Sequence, residues 1–191
     1  LSKRLGTLAL RDLREAGVQP MALLSLLARL GSSDNVVGQS DLLKLVDGFD
    51  ISHFSRAAAK FDPAQLKNLN AKILHDMSWN MVNSRPELDG CSEALWNAIK
   101  GNLNILGEAR LWVEIAQGEI TPITEDADFL TKAADLLPDG TLDEDSWKGW
   151  TNSIKDQLGV KGKALFMPLR QALTAQSHGP EMGKLLPLIG R

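Results

Sequence analysis

An arginine lies beside an apolar stripe near the end of the chain. In LFMPLRQALT, residues 165–174, Arg170 accompanies apolar side chains that recur at helical spacing: Leu165, Phe166, Leu169 and Leu173. Because proline is favoured in the first turn of a helix, Pro168 predicts that the helix carrying Arg170 opens there. The guanidinium is either a surface cation, paired with an acid such as Glu181, or a group that holds a ligand.

The first four residues, LSKR, offer a second cationic site. A lysine in a mobile loop can act as a point charge on a pyrophosphate that develops during a reaction, which would give Lys3 a role near phosphate. The alternative is a flexible basic terminus without a ligand.

Other common catalytic signatures are absent from the sequence, which contains no GxxxxGK[ST], GxGxxG, HExxH or GxSxG. His53, His75 and His178 lie too far apart to show metal-ligand spacing, so no metal site is predicted. Cys91 is the single cysteine, which excludes an intrachain disulfide and favours a cytoplasmic setting.

The 191 residues carry a net charge of −3, which argues against an indiscriminate nucleic-acid binder. Charge is nevertheless unevenly distributed: residues 161–191 hold five Lys or Arg and one acid, whereas residues 31–160 are strongly acidic. No apolar run reaches the roughly 20 residues that a membrane span needs, so no membrane partner is expected.

Helical patterns must position these cations, since strand signals are nearly absent. Helices are predicted over residues 5–17 and 20–31, from Asp62-Pro63 onward, and over the last two segments, GKALFMPLRQALT and GPEMGKLLPLIG. Thr124 is predicted to cap a helix that begins with acids, and a further helix begins at Asp143 or its neighbours and ends at Gly159. We therefore expect an all-α protein in two or three small units.

Three segments resemble bacterial glutamyl-tRNA synthetases. LSKR followed by LGTLALRDLREAGVQPMALLSLLARLG is similar to the end of that family's catalytic domain, and FDPAQLKNLNAKILH (61–75) to a later segment. KALFMPLRQALTAQSHGPEMGKLLPLIGR (163–191) resembles the family's C-terminal signature. The resemblance runs through the whole chain in the right order.

The resemblance implies the C-terminal half of a class I aminoacyl-tRNA synthetase that joins glutamate to tRNA with ATP and Mg²⁺. A Rossmann catalytic domain would precede Leu1, so this chain alone is expected to be inactive and to bind no cofactor. A stem-contact region (1–66) would be followed by two helical-bundle anticodon-binding units (67–116 and 117–191). Lys3, with Ser2 and Arg4, would form the end of the ATP loop, and a monomer is expected.

The resemblance also places Arg170 at the anticodon, with Gly179 adding backbone N–H contacts. A planar guanidinium can hydrogen-bond and stack on an unstacked base. Asn102 stands where glutamate-specific members of the family have an arginine that reads the last anticodon base. This leaves open whether the partner is tRNA(Glu) alone or also tRNA(Gln). Asn102 is alternatively a cap that starts the helix of LNILGEARLWVEIA.

A helical protein-interaction module without a role in RNA binding is the alternative from another class. Its acidic middle would bind a partner protein, but it would have no need of LSKR or MPLR. The tryptophans are predicted to be structural rather than base-stacking: Trp96 and Trp112 as core, and Trp147 and Trp150 as a brace between helices.

Overall fold

A computed structural model describes residues 9–118 and 120–190. The all-α prediction is confirmed across these residues, where extended pairing is limited to one isolated bridge between Ser32 and Phe54. The α-helices, in chain order, are α1 (Leu10–Glu15), α2 (Pro20–Leu27), α3 (Leu42–Asp47), α4 (Pro63–Asp76), α5 (Trp79–Val82), α6 (Glu93–Ile99), α7 (Ala109–Ala116), α8 (Ala127–Ala134), α9 (Ser146–Leu158), α10 (Lys163–Thr174) and α11 (Met182–Ile189). None of these helices is both long and apolar enough to cross a bilayer.

The described residues form two compact units. The first comprises residues up to Glu87 together with Leu103–Ala109, and the second comprises Leu88–Asn102 together with residues 110–190. The predicted boundary between residues 66 and 67 falls inside α4. The division of the chain into three functional segments stays a prediction.

The first unit is organised around the packing of α2 on α4. Asp62 caps α4 by accepting a hydrogen bond from the Ala64 N–H, and Pro63 occupies the first helical position, as the sequence predicted. The predicted apolar side of this helix is buried: Leu66, Leu69, Ile73, Leu74 and Met77. Buried Asn70 links two loops to this helix, since it accepts from the Gln19 N–H and donates to the Asn104 carbonyl, both at 2.6 Å.

The core of the second unit lies among α8, α9, α10 and α11. It is formed by the buried side chains Phe129, Ala133, Leu142, Trp150, Ile154, Leu165, Leu169 and Leu186. Within it, the Trp150 indole N–H donates to the Ala133 carbonyl at 2.7 Å, so Trp150 ties α9 to α8. Its ring also meets that of Trp147 edge-on, with centroids 5.7 Å apart. The predicted brace is therefore confirmed, and Trp96 and Trp112 are buried as expected.

The prediction that Pro168 opens the helix of Arg170 is wrong. α10 begins at Lys163, and Pro168 is its sixth residue. A proline inside a helix removes one backbone hydrogen bond, here the one that would run to the Ala164 carbonyl. Leu165 and Leu169, one turn apart on either side of it, are 0% and 1% exposed. Their burial stabilises a continuous helix despite the lost bond.

Thr124 does not cap α8, contrary to the sequence prediction. Asp126 is the cap, and its side chain accepts from the Phe129 N–H at 3.0 Å. Both residue types can cap a helix. Because Phe129 is buried against the core, the first turn of α8 follows Asp126 rather than Thr124.

Candidate nucleic-acid interface

Arg170 is positioned by the packing of α10. Leu169, its neighbour, is 1% exposed in the core of the second unit, so the rotation of the helix about its axis is fixed. Arg170 lies about 100° further round the helix and is half-buried at the edge of this core. The cation is therefore held on a rigid element rather than on a loop.

The Arg170 guanidinium is only partly satisfied. Its Nη2 donates to the Pro180 carbonyl at 3.0 Å, while its Nη1 is shielded from solvent and has no hydrogen-bond partner among the described residues. Burial lowers the pKa of Arg170 from its usual value. Arginine still remains a cation at neutral pH.

The ion pair between Arg170 and Glu181, the structural alternative, does not form. Glu181 is exposed and pairs with Lys184 instead, with 3.3 Å between the carboxylate and the ammonium. The Arg170 guanidinium therefore has no charge partner within the two described ranges of the chain. A buried donor without an acceptor is costly, which makes this residue a candidate for ligand binding.

The loop at 175–181 completes the surroundings of Arg170. Its first turn is tied to α10 by buried Thr174, whose hydroxyl donates to the Arg170 carbonyl at 2.7 Å and accepts from the Gln176 N–H at 3.1 Å. Ser177 and His178 are exposed at its tip and contact each other, with 3.2 Å between Oγ and Nδ1. The loop therefore presents polar side chains next to a fixed cation.

Gly179 is held against the indole of Trp112. A Cβ atom built on Gly179 would lie 2.2 Å from Cη2 of Trp112, and the residue has a φ of +147°, which disfavours any other amino acid. Its backbone N–H has no hydrogen-bond acceptor within the described part of the chain. The sequence indicated Gly179 as a site residue but indicated Trp112 only as a core residue. Only the fold brings α7, which carries Trp112, to this loop.

Asn102 lies in the same compact unit as Arg170, at the end of a short 3-10 turn, Lys100–Asn102, that follows α6. Its alternative role as a helix cap is wrong, since α7 begins at Ala109. α6 packs on α11, the helix that follows the 175–181 loop. Arg170 and Gly179 are thus brought together through Pro180, whereas no hydrogen bond within the described ranges joins Asn102 to them.

The remaining predicted residues lie elsewhere. Lys3, Ser2 and Arg4 fall outside the described residues. Within the described ranges, no three His, Cys, Asp or Glu side chains come together in a way that could hold a metal ion.

Comparison with known proteins defines the class of this site. Residues 115–191, which include α10 and the 175–181 loop, match the family described as an anticodon binding domain. Glutamate–tRNA ligase 1 of Maricaulis maris is 47% identical over 194 residues, which cover 100% of this chain and 44% of that protein. Glutamate–tRNA ligase 1 of Ruegeria pomeroyi is 48% identical over 195 residues, covering 99% of this chain and 44% of that protein.

A solved structure supports the fold alone. The crystal structure of a glutamate tRNA ligase from Elizabethkingia meningosepticum, in complex with its amino acid, matches with a TM-score of 0.71 at 18% identity, over 99% of this chain and 42% of that one. This chain spans less than half the length of the relatives it matches. Along its whole length it is similar to part of the glutamate–tRNA ligases, and residues 115–191 match the anticodon binding domain family.

Proposed function

We propose that this chain is the tRNA-binding half of a glutamate–tRNA ligase and that its second unit binds the anticodon. The family matched by residues 115–191 supports this, as do relatives named glutamate–tRNA ligase along the whole chain. The proposed RNA partner is tRNA(Glu). The basic balance of residues 161–191 favours approach to phosphate, while the net charge of −3 disfavours nonspecific binding.

The single observation that carries the proposal is the Nη1 of Arg170, which has no hydrogen-bond partner among residues 9–118 and 120–190. An unpaired buried donor costs about 1–3 kcal/mol, and an acceptor supplied by a ligand would relieve that cost. An unstacked anticodon base offers such acceptors on its edge and a flat face for the guanidinium. Because Nη1 is shielded in the free chain, binding requires the side chain to turn toward the base.

Gly179 and Asn102 are proposed to support this contact. The Gly179 N–H, which has no acceptor within the described ranges, lies one residue from the Pro180 carbonyl that restrains Arg170, so it can donate to a phosphate or base next to the one that Arg170 contacts. Asn102 is exposed and can both donate and accept, so it can read a base edge without the charge of arginine. Whether tRNA(Gln) is also accepted depends on this residue.

The activity of the whole ligase follows from the same proposal. It attaches glutamate to tRNA with ATP and Mg²⁺ in the cytoplasm, and it acts as a monomer. Lys3, Ser2 and Arg4 belong to its ATP-binding loop. This chain on its own does not catalyse the reaction, since adenylate formation needs ATP, glutamate and the acceptor end to be positioned together.

Binding of labelled tRNA tests the proposal. Dissociation constants for tRNA(Glu), tRNA(Gln) and an unrelated tRNA are measured at two salt concentrations, for the unaltered chain and for Arg170→Ala. We expect the chain to prefer tRNA(Glu), and we expect Arg170→Ala to weaken that binding by roughly 1–3 kcal/mol, the usual worth of one specific base contact.

A matched control is Arg110→Ala, in the same unit. Arg110 is exposed and pairs with Glu114 on its own helix, so its loss should change binding only through net charge. Equal losses of tRNA affinity in both variants would mean that Arg170 contributes to binding only through its charge. Unchanged binding by a folded Arg170→Ala chain would remove this residue from the site.

A further inference from the structure

Phe166 is exposed on α10, one turn before Arg170. Three large hydrophobic side chains are exposed among the described residues of the second unit, and Phe166, at 38%, is the aromatic one. Its neighbours Leu165 and Leu169 belong to the core of this unit, whereas Phe166 does not. The ring is therefore displayed at the surface rather than used to fill the core.

Side chains from α9 hold the Phe166 ring in place. The Trp147 ring lies beside it, with centroids 6.3 Å apart and planes inclined by 37°. The Lys155 ammonium lies 5.4 Å from the centre of the Phe166 ring, which is a cation–π distance. The same ammonium donates to the Asn152 side-chain oxygen at 3.2 Å. The ring is thus fixed between two helices, with a lysine already positioned over it.

Two further lysines lie on the same sides of these helices. Lys163 precedes Phe166 by three residues on α10, so the two side chains are neighbours on the helix surface. Lys148 precedes Lys155 by seven residues on α9, which is two turns and brings both to one side. We name the group formed by Trp147, Lys148, Lys155, Lys163 and Phe166 the α9–α10 surface.

The segment that carries this surface is strongly basic in an acidic chain. Residues 147–166 contain four lysines, Lys148, Lys155, Lys161 and Lys163, against one acid, Asp156, although the whole chain has a net charge of −3. None of these lysines forms an ion pair within the part of the chain that the structure describes. Uncompensated lysines around an exposed aromatic ring suit a ligand that combines phosphates with flat bases, which is single-stranded RNA.

Two of the three acids that come just before α9 lie elsewhere. Asp143 accepts hydrogen bonds from the N–H and the hydroxyl of Ser146, at 2.8 and 2.6 Å. Together with Glu144 it lines a cleft that also contains Lys184 of α11. These two carboxylates therefore border α11, whereas Phe166 lies on α10.

We propose that the α9–α10 surface binds a second nucleotide of the anticodon loop, beside the one that Arg170 contacts. This inference rests on the proposed function. Phe166 and Arg170 are four residues apart, so they project about 40° apart round α10 and about 6 Å apart along it. One single-stranded segment can therefore reach both side chains.

The second nucleotide is held by its base and by its phosphate. The base stacks on the Phe166 ring in the place that the Lys155 ammonium occupies in the free chain. The displaced ammonium, with Lys163, then contacts the phosphate. Because every base has a flat face, stacking tolerates any sequence. This surface therefore adds affinity, whereas discrimination between tRNAs stays with Arg170 and Asn102.

Two substitutions of Phe166 test the stacking. Phe166→Leu keeps an apolar side chain but removes the ring, and Phe166→Trp restores a ring. Fluorescence anisotropy of labelled tRNA(Glu) and tRNA(Gln) gives the dissociation constants, and urea unfolding checks that each variant folds. We expect Phe166→Leu to weaken binding at least about fivefold, the lower end of what one stacked base contributes, and equally for each tRNA that the chain binds. Phe166→Trp should bind as the unaltered chain does.

A matched pair of lysine variants tests the phosphate contact. Lys155→Gln removes one such contact, so the slope of the logarithm of affinity against the logarithm of salt concentration should become shallower by about 0.7. Lys132→Gln is the control, because Lys132 is exposed on α8, in the same unit but outside the α9–α10 surface. It removes the same charge and should leave the slope unchanged.

Three results would overturn the proposal. The first is unchanged tRNA affinity in a folded Phe166→Leu chain, and the second is an equal loss of affinity in Phe166→Leu and Phe166→Trp. The third is an equal change of salt dependence in Lys155→Gln and Lys132→Gln, which would mean that only the overall charge matters.

The outcome also separates this surface from the contact proposed for Arg170. Weaker binding by Phe166→Leu beside unchanged binding by Arg170→Ala would support the α9–α10 surface and remove Arg170 from the site. The converse would support Arg170 and overturn the proposal made for Phe166. An unaltered chain that binds none of the tRNAs would overturn the proposed function together with this inference.

Discussion

Substitution of Gly179 by alanine probes the contact that shapes the candidate interface. The added Cβ would lie 2.2 Å from Cη2 and 2.7 Å from Cζ2 of Trp112, well inside contact distance. Trp112 is 6% exposed, so displacing its indole would break buried contacts. Overpacking of this kind costs about 1–3 kcal/mol. The positive φ of +147° adds about 1–2 kcal/mol for a residue with a side chain.

The expected loss for Gly179→Ala is therefore about 2–5 kcal/mol in the free energy of unfolding. Gly140→Ala is the matched control, because Gly140 has a φ of +91° but nothing within 4 Å of a built Cβ. It should lose only the backbone contribution of about 1–2 kcal/mol. Urea unfolding followed by circular dichroism measures both variants, and the difference between them isolates the contact with Trp112.

A double-mutant cycle sharpens the test. In a Trp112→Leu background the obstruction is removed, so adding Gly179→Ala should cost no more than Gly140→Ala does. The reasoning is refuted if Gly179→Ala and Gly140→Ala destabilise the chain equally, or if the cost of Gly179→Ala is unchanged when Trp112 is replaced. Either result would mean that the 175–181 loop does not rest on the indole.

Two further predictions concern other parts of the chain. Gly149 lies inside α9, is exposed and has no described atom within 4 Å of a built Cβ. Because alanine loses less backbone entropy in a helix than glycine, Gly149→Ala should raise the free energy of unfolding by about 0.5–1 kcal/mol. A lower free energy of unfolding in urea would contradict this. The Asp34 carboxylate, 2.9 Å from His53 Nδ1, raises the pKa of His53 above its usual 6.5, mainly by hydrogen bonding. The stabilisation of the folded chain by the contact between His53 and Asp34 is therefore complete below about pH 6.5. It is lost as the pH rises through the raised pKa of His53. NMR titration of the His53 ring measures that value, and unfolding of His53→Gln should lack this pH dependence; a His53 pKa at or below 6.5 would contradict it.

Local patterns predicted the helices well where capping and periodicity agree. Asp62 and Pro63 start α4 as predicted, because a capping carboxylate and a proline at the first position act within one turn. Pro168 shows where such local rules fail. Its effect on α10 is outweighed by burial of Leu165 and Leu169, which depends on partners in α8 and α9. Tertiary packing of this kind is not visible in a ten-residue window.

The sequence predicted the cation of the candidate site, Arg170, but not the groups that surround it. Composition and resemblance pointed to Arg170 and Gly179. The acceptor at Pro180 and the indole of Trp112 depend on how the chain folds back, and Trp112 is 67 residues away from Gly179 in sequence. Asn102 is exposed, and its proposed contact with a base depends on the position of the RNA itself.

Arg170 should matter for RNA binding more than for folding. Replacement by alanine removes the hydrogen bond from Nη2 to the Pro180 carbonyl, and bonds to charged groups stabilise by about 1.5–3 kcal/mol. The same replacement also removes a shielded donor, Nη1, that lacks a partner within the described part of the chain, which relieves about 1–3 kcal/mol. Since these effects oppose each other, the free energy of unfolding of Arg170→Ala should stay within about 2 kcal/mol of the unaltered chain. A residue kept for packing would instead show a large loss in urea unfolding with tRNA binding reduced only in proportion. A small change in stability beside a large loss of binding would indicate a group kept unsatisfied in the free chain for its ligand.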